Sequence, residues 1–132
     1  MANSQRDAQR FIARLSEMLG TALTLEQGVC ALYDNQQRQA AVIEVPPRSD
    51  YVVIHCSLGS LRKSQENMQR LLTINFDVAN LCGCWLALDQ KELRLCTQRE
   101  LASLDEGKFC DLVNGFITQV QRTRITVQPL LN

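Results

Sequence analysis

The stretch Cys84–Cys96, CWLALDQKELRLC, limits the possible folds more than any other part of the chain. Two runs with alternating leucines flank a short polar link, Gln90-Lys91, which is the pattern of a tight antiparallel hairpin. With Asp89 to Glu92 as a four-residue loop, Leu88 faces Leu93 and Leu86 faces Leu95. Side chains alternate along a strand, so these four leucines share one side of a sheet and Cys84 joins them. Trp85, Ala87 and Cys96 fall on the other side.

Three further runs read as strands. Val29–Asp34, Gln39–Pro46 and Tyr51–Leu58 are short and rich in Val, Ile and Tyr. The links Asn35-Gln36-Gln37-Arg38 and Pro47-Arg48-Ser49-Asp50 are brief and polar, which favours antiparallel neighbours. Three other stretches carry the helical period instead. From about Ser4 to Leu19, the residues Ala8, Phe11, Ile12, Leu15, Met18 and Leu19 line one face, with Asn3 or Ser4 as the expected cap and Gly20 as the stop. From about Lys63 to Val78, the stripe is Met68, Leu71, Leu72, Asn75 and Phe76. From about Leu104 to Arg122, it is Phe109, Leu112, Val113, Phe116, Ile117 and Val120, behind a Ser103-x-x-Glu106 capping box. The tail Thr123–Asn132 either extends along another surface or is loose. The order α-β-β-β-α-β-β-α is that of an α+β fold, a twisted antiparallel sheet packed by helices. At 132 residues the chain suits one domain, 1–132.

Composition narrows the function. Fourteen basic and fourteen acidic residues cancel, which argues against a general nucleic-acid or anionic-membrane binder. The N-terminus lacks the apolar core of a signal peptide, and no run approaches the ~18 apolar residues of a membrane span, so no membrane insertion is expected. A cytosolic location follows, and with it six reduced cysteines rather than a disulfide framework.

Those cysteines invite a metal or thiol reading. Cys82 and Cys84 form a C-x-C, and His55 with Cys56 supplies two more potential ligands. Structural zinc sites more often use paired C-x2-4-C spacing. Strand alternation also turns His55 and Cys56 to opposite faces, so no metal site and no cofactor is expected. A redox pair would want C-x-x-C at a helix start, whereas this C-x-C precedes a strand. Cys30, Cys56, Cys84 and Cys110 read as small core residues, and Cys82 and Cys96 as the more exposed ones. The single histidine has no orienting partner in the spacing, and Ser57-Leu58-Gly59-Ser60 lacks the lysine of a phosphate loop. No catalytic constellation emerges.

Taken in order, several segments resemble one family, the class I (CesT-like, Tir chaperone) type III secretion chaperones of Gram-negative bacteria. LTLEQGVCALYD resembles the entry into its first strand, and VIEVPPRSDYVVIHCSLG its second and third strands. Leu71, Leu72 and Asn75 match the L-L-x-x-N of its central helix. Gly83, Leu86, Leu88, Asp89, Leu93 and Leu95 match its hairpin, and ELASLDEGKFCDLVNGFI its last helix. The chain departs from the family in being charge-balanced and in carrying an extra apolar end, ITVQPLLN.

The resemblance implies a homodimer without catalytic activity in the bacterial cytoplasm. Such a chaperone binds the N-terminal segment of a secreted effector, keeps it extended, and aids delivery to the secretion apparatus and its ATPase. It also implies a dimer contact from the central helix and first hairpin strand, here Met68, Leu71, Leu72, Asn75, Trp85 and Ala87. A disordered effector needs apolar grooves and an open strand edge. Phe11, Ile12, Leu15, Met18 and Leu19 are the candidate groove residues, with ordinary core as the alternative. Trp85 has two alternatives as well, a second subunit or a helix of its own subunit. A regulator or structural component of the secretion system, and a zinc or thiol protein, are the other readings kept open.

Overall fold

The structure is a computed structural model that describes residues 2–132, with side chains from residue 4 onward. Its elements are α1 (Ala2–Leu19), β1 (Val29–Tyr33), β2 (Gln39–Glu44), β3 (Tyr51–Ser60), α2 (Gln65–Phe76), α3 (Val78–Leu81), β4 (Trp85–Asp89), β5 (Glu92–Glu100) and α4 (Glu106–Val127). This is the α+β order read from the sequence, with one addition, the single-turn α3.

The helix ends differ from expectation in instructive ways. The helix α1 already includes Ser4, whose hydroxyl donates to Asp50 at 2.7 Å instead of capping; the Asn3 side chain lies outside the described residues. Its C-terminus closes as expected around Gly20, with the Thr21 amide donating to Ser16 and the Gly20 amide to Glu17. The start of α4 is capped by Asp105, which accepts from the Lys108 amide at 2.7 Å, rather than by Ser103. A 3-10 turn, Leu101–Ser103, buries Leu101 and turns the Ser103 hydroxyl back to the Glu100 carbonyl, so the helix begins two residues later than the capping box suggests. At its other end α4 runs on to Val127, and the buried stripe continues through Thr123 and Val127. Tertiary burial there overrides the weak helix propensity of Thr123, Ile125, Thr126 and Val127.

The central helix is α2, capped by Ser64 through the Asn67 amide at 3.0 Å. It breaks at Asp77, whose side chain accepts the Asn80 amide and starts α3. Here the polar side chain competes with the helical ladder, ends α2 two residues short of the expected limit near Val78, and starts the additional turn α3.

The five strands form one antiparallel sheet in the order β1-β2-β3-β5-β4. The hairpin register is as read, with Leu86 opposite Leu95 and Leu88 opposite Leu93. On the core face, Ile43, Val52, Ile54 and Leu95 pack under α1 and α4. The two helices meet through Phe11 and Phe109, whose rings stack with centroids 5.4 Å apart. Burying the rings of Phe11 and Phe109 contributes on the order of 3 kcal/mol each.

The opposite face of the sheet looks outward. One row of paired residues crosses all five strands, Ala31–Val42–His55–Cys96–Trp85. Its members are small or only partly covered, with Val42 alone buried.

Candidate functional site

Two surfaces keep apolar side chains or backbone groups that the fold does not use. The first runs along α2 and the edge strand β4. Met68, Leu72 and Phe76 follow one another at four-residue intervals, so they stack on one side of α2. Leu72 is 72% exposed and Phe76 86% exposed. Beside them Leu88, half-exposed at the end of β4, helps line an apolar depression with Met68, Leu71, Leu72 and Ala87. Two large apolar side chains this open, in register on one helix, form a patch of the kind that marks an interaction surface.

The dimer candidates divide on this surface. Met68 and Leu72 are open on it, and Ala87 is half-buried. Leu71 points inward and is buried. Asn75 has a different job within the chain. Its carbonyl accepts the Leu86 amide at 2.8 Å and its amide reaches the Leu86 carbonyl at 3.4 Å. One side-chain amide thereby occupies the backbone groups that edge strand β4 turns away from β5, as another strand would. The L-L-x-x-N spacing is thus explained: Leu71 anchors α2 in the core and Asn75, four residues on, pins it to β4. Trp85 sits on the outward face, opposite Cys96 and 38% exposed.

The second surface is the other edge of the sheet. Among the described residues no strand lies beyond β1 in the sheet. The Val29 amide and carbonyl pair outward with Glu26 at 2.9 Å. Backbone groups alternate in direction along a strand, so those of Ala31 and Tyr33 also point off the sheet. Sequence reading had no means to single out this edge, because strand order is a tertiary property.

The proposed groove residues of α1 fall into two groups. Phe11, Ile12 and Leu15 are buried against the sheet and α4, so within this chain they are core. Met18 and Leu19 emerge at the helix end, 51% and 44% exposed.

Polar chemistry concentrates on the outer face. Arg94 Nη1 donates to His55 Nδ1 at 3.1 Å, which leaves the His55 Nε2 proton to donate to Glu44 at 2.7 Å. This chain of bonds ties β5 to β3 and β3 to β2. The Arg94 Nε is buried and meets no acceptor; the Asp89 carboxylate is 3.7 Å away. Ser57 donates to Glu92 on the same face. The alternation that sends His55 outward and Cys56 into the core is as the sequence implied. Among the described residues no three His, Cys, Asp or Glu side chains converge on a metal position. Burial pushes the thiols of Cys30, Cys56, Cys84, Cys96 and Cys110 above their ordinary value, which keeps them protonated and unreactive. Cys82 is exposed, at the left-handed residue that ends α3.

Among the described residues no helix is long and apolar enough to cross a membrane. No curated protein matches the sequence significantly. Solved structures do match the fold. A chain of the ExsC-ExsE complex is 14% identical with a TM-score of 0.72, covering 94% of this chain and 92% of that one. A chain of the heterodimeric ExoU-SpcU complex from the type III secretion system of Pseudomonas aeruginosa is 18% identical, TM-score 0.68, covering 92% and 97%. A chain of the Yersinia pestis type III secretion chaperone SycH in complex with a fragment of YscM2 is 16% identical, TM-score 0.63, covering 89% and 97%. At these identities the likeness is one of fold. The sequence itself, over residues 10–124, matches the model of the Tir chaperone protein (CesT) family, and the chain belongs to that family.

Proposed function

We infer that this protein is a type III secretion chaperone. It binds the N-terminal chaperone-binding segment of a cognate effector and holds it extended and secretion-competent in the bacterial cytoplasm. It then aids transfer to the secretion apparatus, bringing the loaded segment to the secretion ATPase. Its work is binding rather than catalysis. Family membership supports this reading, as do fold neighbours solved with ExsE, ExoU and YscM2.

The observation that carries the mechanism is that two unused surfaces lie on opposite edges of one sheet. On the β4 side, the ridge of Met68, Leu72 and Phe76, with Leu88, Ala87 and Trp85 nearby, takes a second copy of the chain. On the β1 side, the outward backbone of Ala31 and Tyr33 takes an extended effector segment as an added strand. The exposed Met18 and Leu19 and the outward side chains of Val29 and Tyr33 offer apolar footing to such a segment. A dimer then carries two such edges for one effector chain to traverse.

Tagged chain recovered from its native bacterium is expected to bring down a secreted protein, held through an extended N-terminal segment. Recovery that survives deletion of that segment refutes the reading. Within the chaperone, Ala31→Pro removes an outward amide without touching the β1–β2 ladder, so the effector is lost while the dimer persists. Phe76→Asp and Trp85→Arg should each give monomers by sedimentation; a dimer in both refutes the seam.

A further inference from the structure

The apolar end of the chain, ITVQPLLN, lies wholly beyond the family match, which stops at residue 124. Its last residues lie along another surface, the first of the two expected alternatives, and are not loose. After α4 a 3-10 turn, Gln128–Leu130, folds the chain back onto the link between β3 and α2. There Leu131 pairs antiparallel with Leu61. The Arg62 amide donates to Leu130 at 2.9 Å and the Asn132 amide to Ser60 at 2.9 Å. On its other side the Leu61 amide donates to Lys91 at 2.9 Å, so the link is held between the hairpin loop and the chain end. Side chains add to this. Arg62 Nη2 donates to the Pro129 carbonyl at 2.7 Å, and the buried Asn67 amide spans the carbonyls of Arg62 at 2.6 Å and Leu130 at 3.5 Å. Leu130 is buried, and the Leu131 side chain fills the space over Gly59, where an added Cβ would lie 3.0 Å from Leu131 Cδ1.

What this holds is α2. That helix buries only Asn67 and Leu71, and Asn75 ties it to β4. Leu71 reaches the core and Asn75 reaches the sheet edge, but Asn67, in the first turn, is anchored on the chain end and the link it holds. Beyond those anchors α2 turns its other side, with Leu72 and Phe76, to solvent.

We propose that residues 127–132 form a strap that sets the position of α2, so that Asn67, Leu130 and Leu131 act as positioning residues for the docking ridge of Met68, Leu72 and Phe76. This rests on α2 being the docking face inferred above, but the seat of α2 can be measured without a partner. In a Phe76→Asp background that removes docking, hydrogen exchange is compared for the parent chain, Leu131→Ala, and deletion of 129–132. Release of the strap is expected to speed exchange of α2 amides about tenfold or more, with β5 and the α4 segment 106–124 unchanged. Exchange within about twofold of the parent in both variants overturns the proposal, as does equal acceleration of β5 and α4, which would make the strap a general stabiliser. With Phe76 restored, sedimentation should show dimer dissociation raised about tenfold by Leu131→Ala, and an unchanged constant also overturns the proposal. A parent chain that is monomeric throughout removes the docking-face reading instead, and the exchange experiment still decides the strap.

Discussion

Replacing Asn75 with alanine tests how the α2–β4 edge is held together. The substitution deletes the 2.8 Å bond from the Leu86 amide and the 3.4 Å contact to its carbonyl. Leu86 is buried, so its amide loses its partner where water reaches it poorly. An orphaned donor of this kind costs about 1–3 kcal/mol, and the longer contact adds little. Alanine is the better helix former by about 0.6 kcal/mol, which offsets part of the loss. The net expectation is a loss of about 1.4 kcal/mol. A urea slope of about 2 kcal/mol per molar for a chain this size converts that to a midpoint lowered by about 0.7 M. The assay is equilibrium urea unfolding followed by circular dichroism, at one protein concentration because association also stabilises. Asn75→Asp is the control: it keeps the acceptor for the Leu86 amide and gains no helix propensity, so it should lose less than about 1 kcal/mol. A midpoint for Asn75→Ala within error of the parent refutes the role of this amide as a surrogate strand.

Phe11→Ala should lower stability by about 3–5 kcal/mol in the same assay, because it opens a cavity beside Phe109 at a fully buried position; a loss under about 1 kcal/mol would return Phe11 to the list of surface residues. Gly28→Ala should be destabilising by more than about 1 kcal/mol, since the residue has φ +80° and an added Cβ would lie 2.5 Å from the Val45 carbonyl oxygen; an unchanged urea midpoint contradicts this geometry. Iodoacetamide at mildly alkaline pH should label Cys82 first, read by peptide mass spectrometry, because burial keeps the other five thiols covered or protonated; faster labelling of Cys84 or Cys96 would contradict it. The β1–β2 turn should be acid-sensitive. Backbone amides, first that of Arg38, hold the Asp34 carboxyl below its ordinary value. Its contribution is therefore present above the unfolded value of about 3.9 and disappears as pH falls through the lower folded value. NMR shifts of the Gln36 and Arg38 amides titrating at or above 3.9 would rule this out.

Periodicity determined the five strands, the three long helices and the hairpin register of this protein. Leucines alternating around Gln90-Lys91, with the tight loop, favour the pairing of Leu86 with Leu95 and Leu88 with Leu93 on one face, and the structure has it. The stripe of α4 was equally plain from Phe109 to Val120, because i, i+3 and i+4 neighbours on a helix need nothing beyond local geometry. Local signals failed where two equivalent ones competed. Ser103 and Asp105 are both good caps, and only the burial of Leu101 chose between them. Asn75 looked like one more member of the stripe of the central helix, since nothing in the sequence says that the β4 backbone lies within reach of its amide. The groove residues of α1 divided for a related reason. Phe11, Ile12, Leu15, Met18 and Leu19 have one periodicity, but the first three are buried in the core, with Phe11 stacked on Phe109 of α4, and the last two are exposed. The chain end is the extreme case. Its last residues, Pro129–Asn132, have no clear period, and their structure comes from residues 60–67, more than sixty positions away, which accept and donate their hydrogen bonds. Contacts that close over such distances are decided by the packed fold, because only there are both partners held in place before the bond is made.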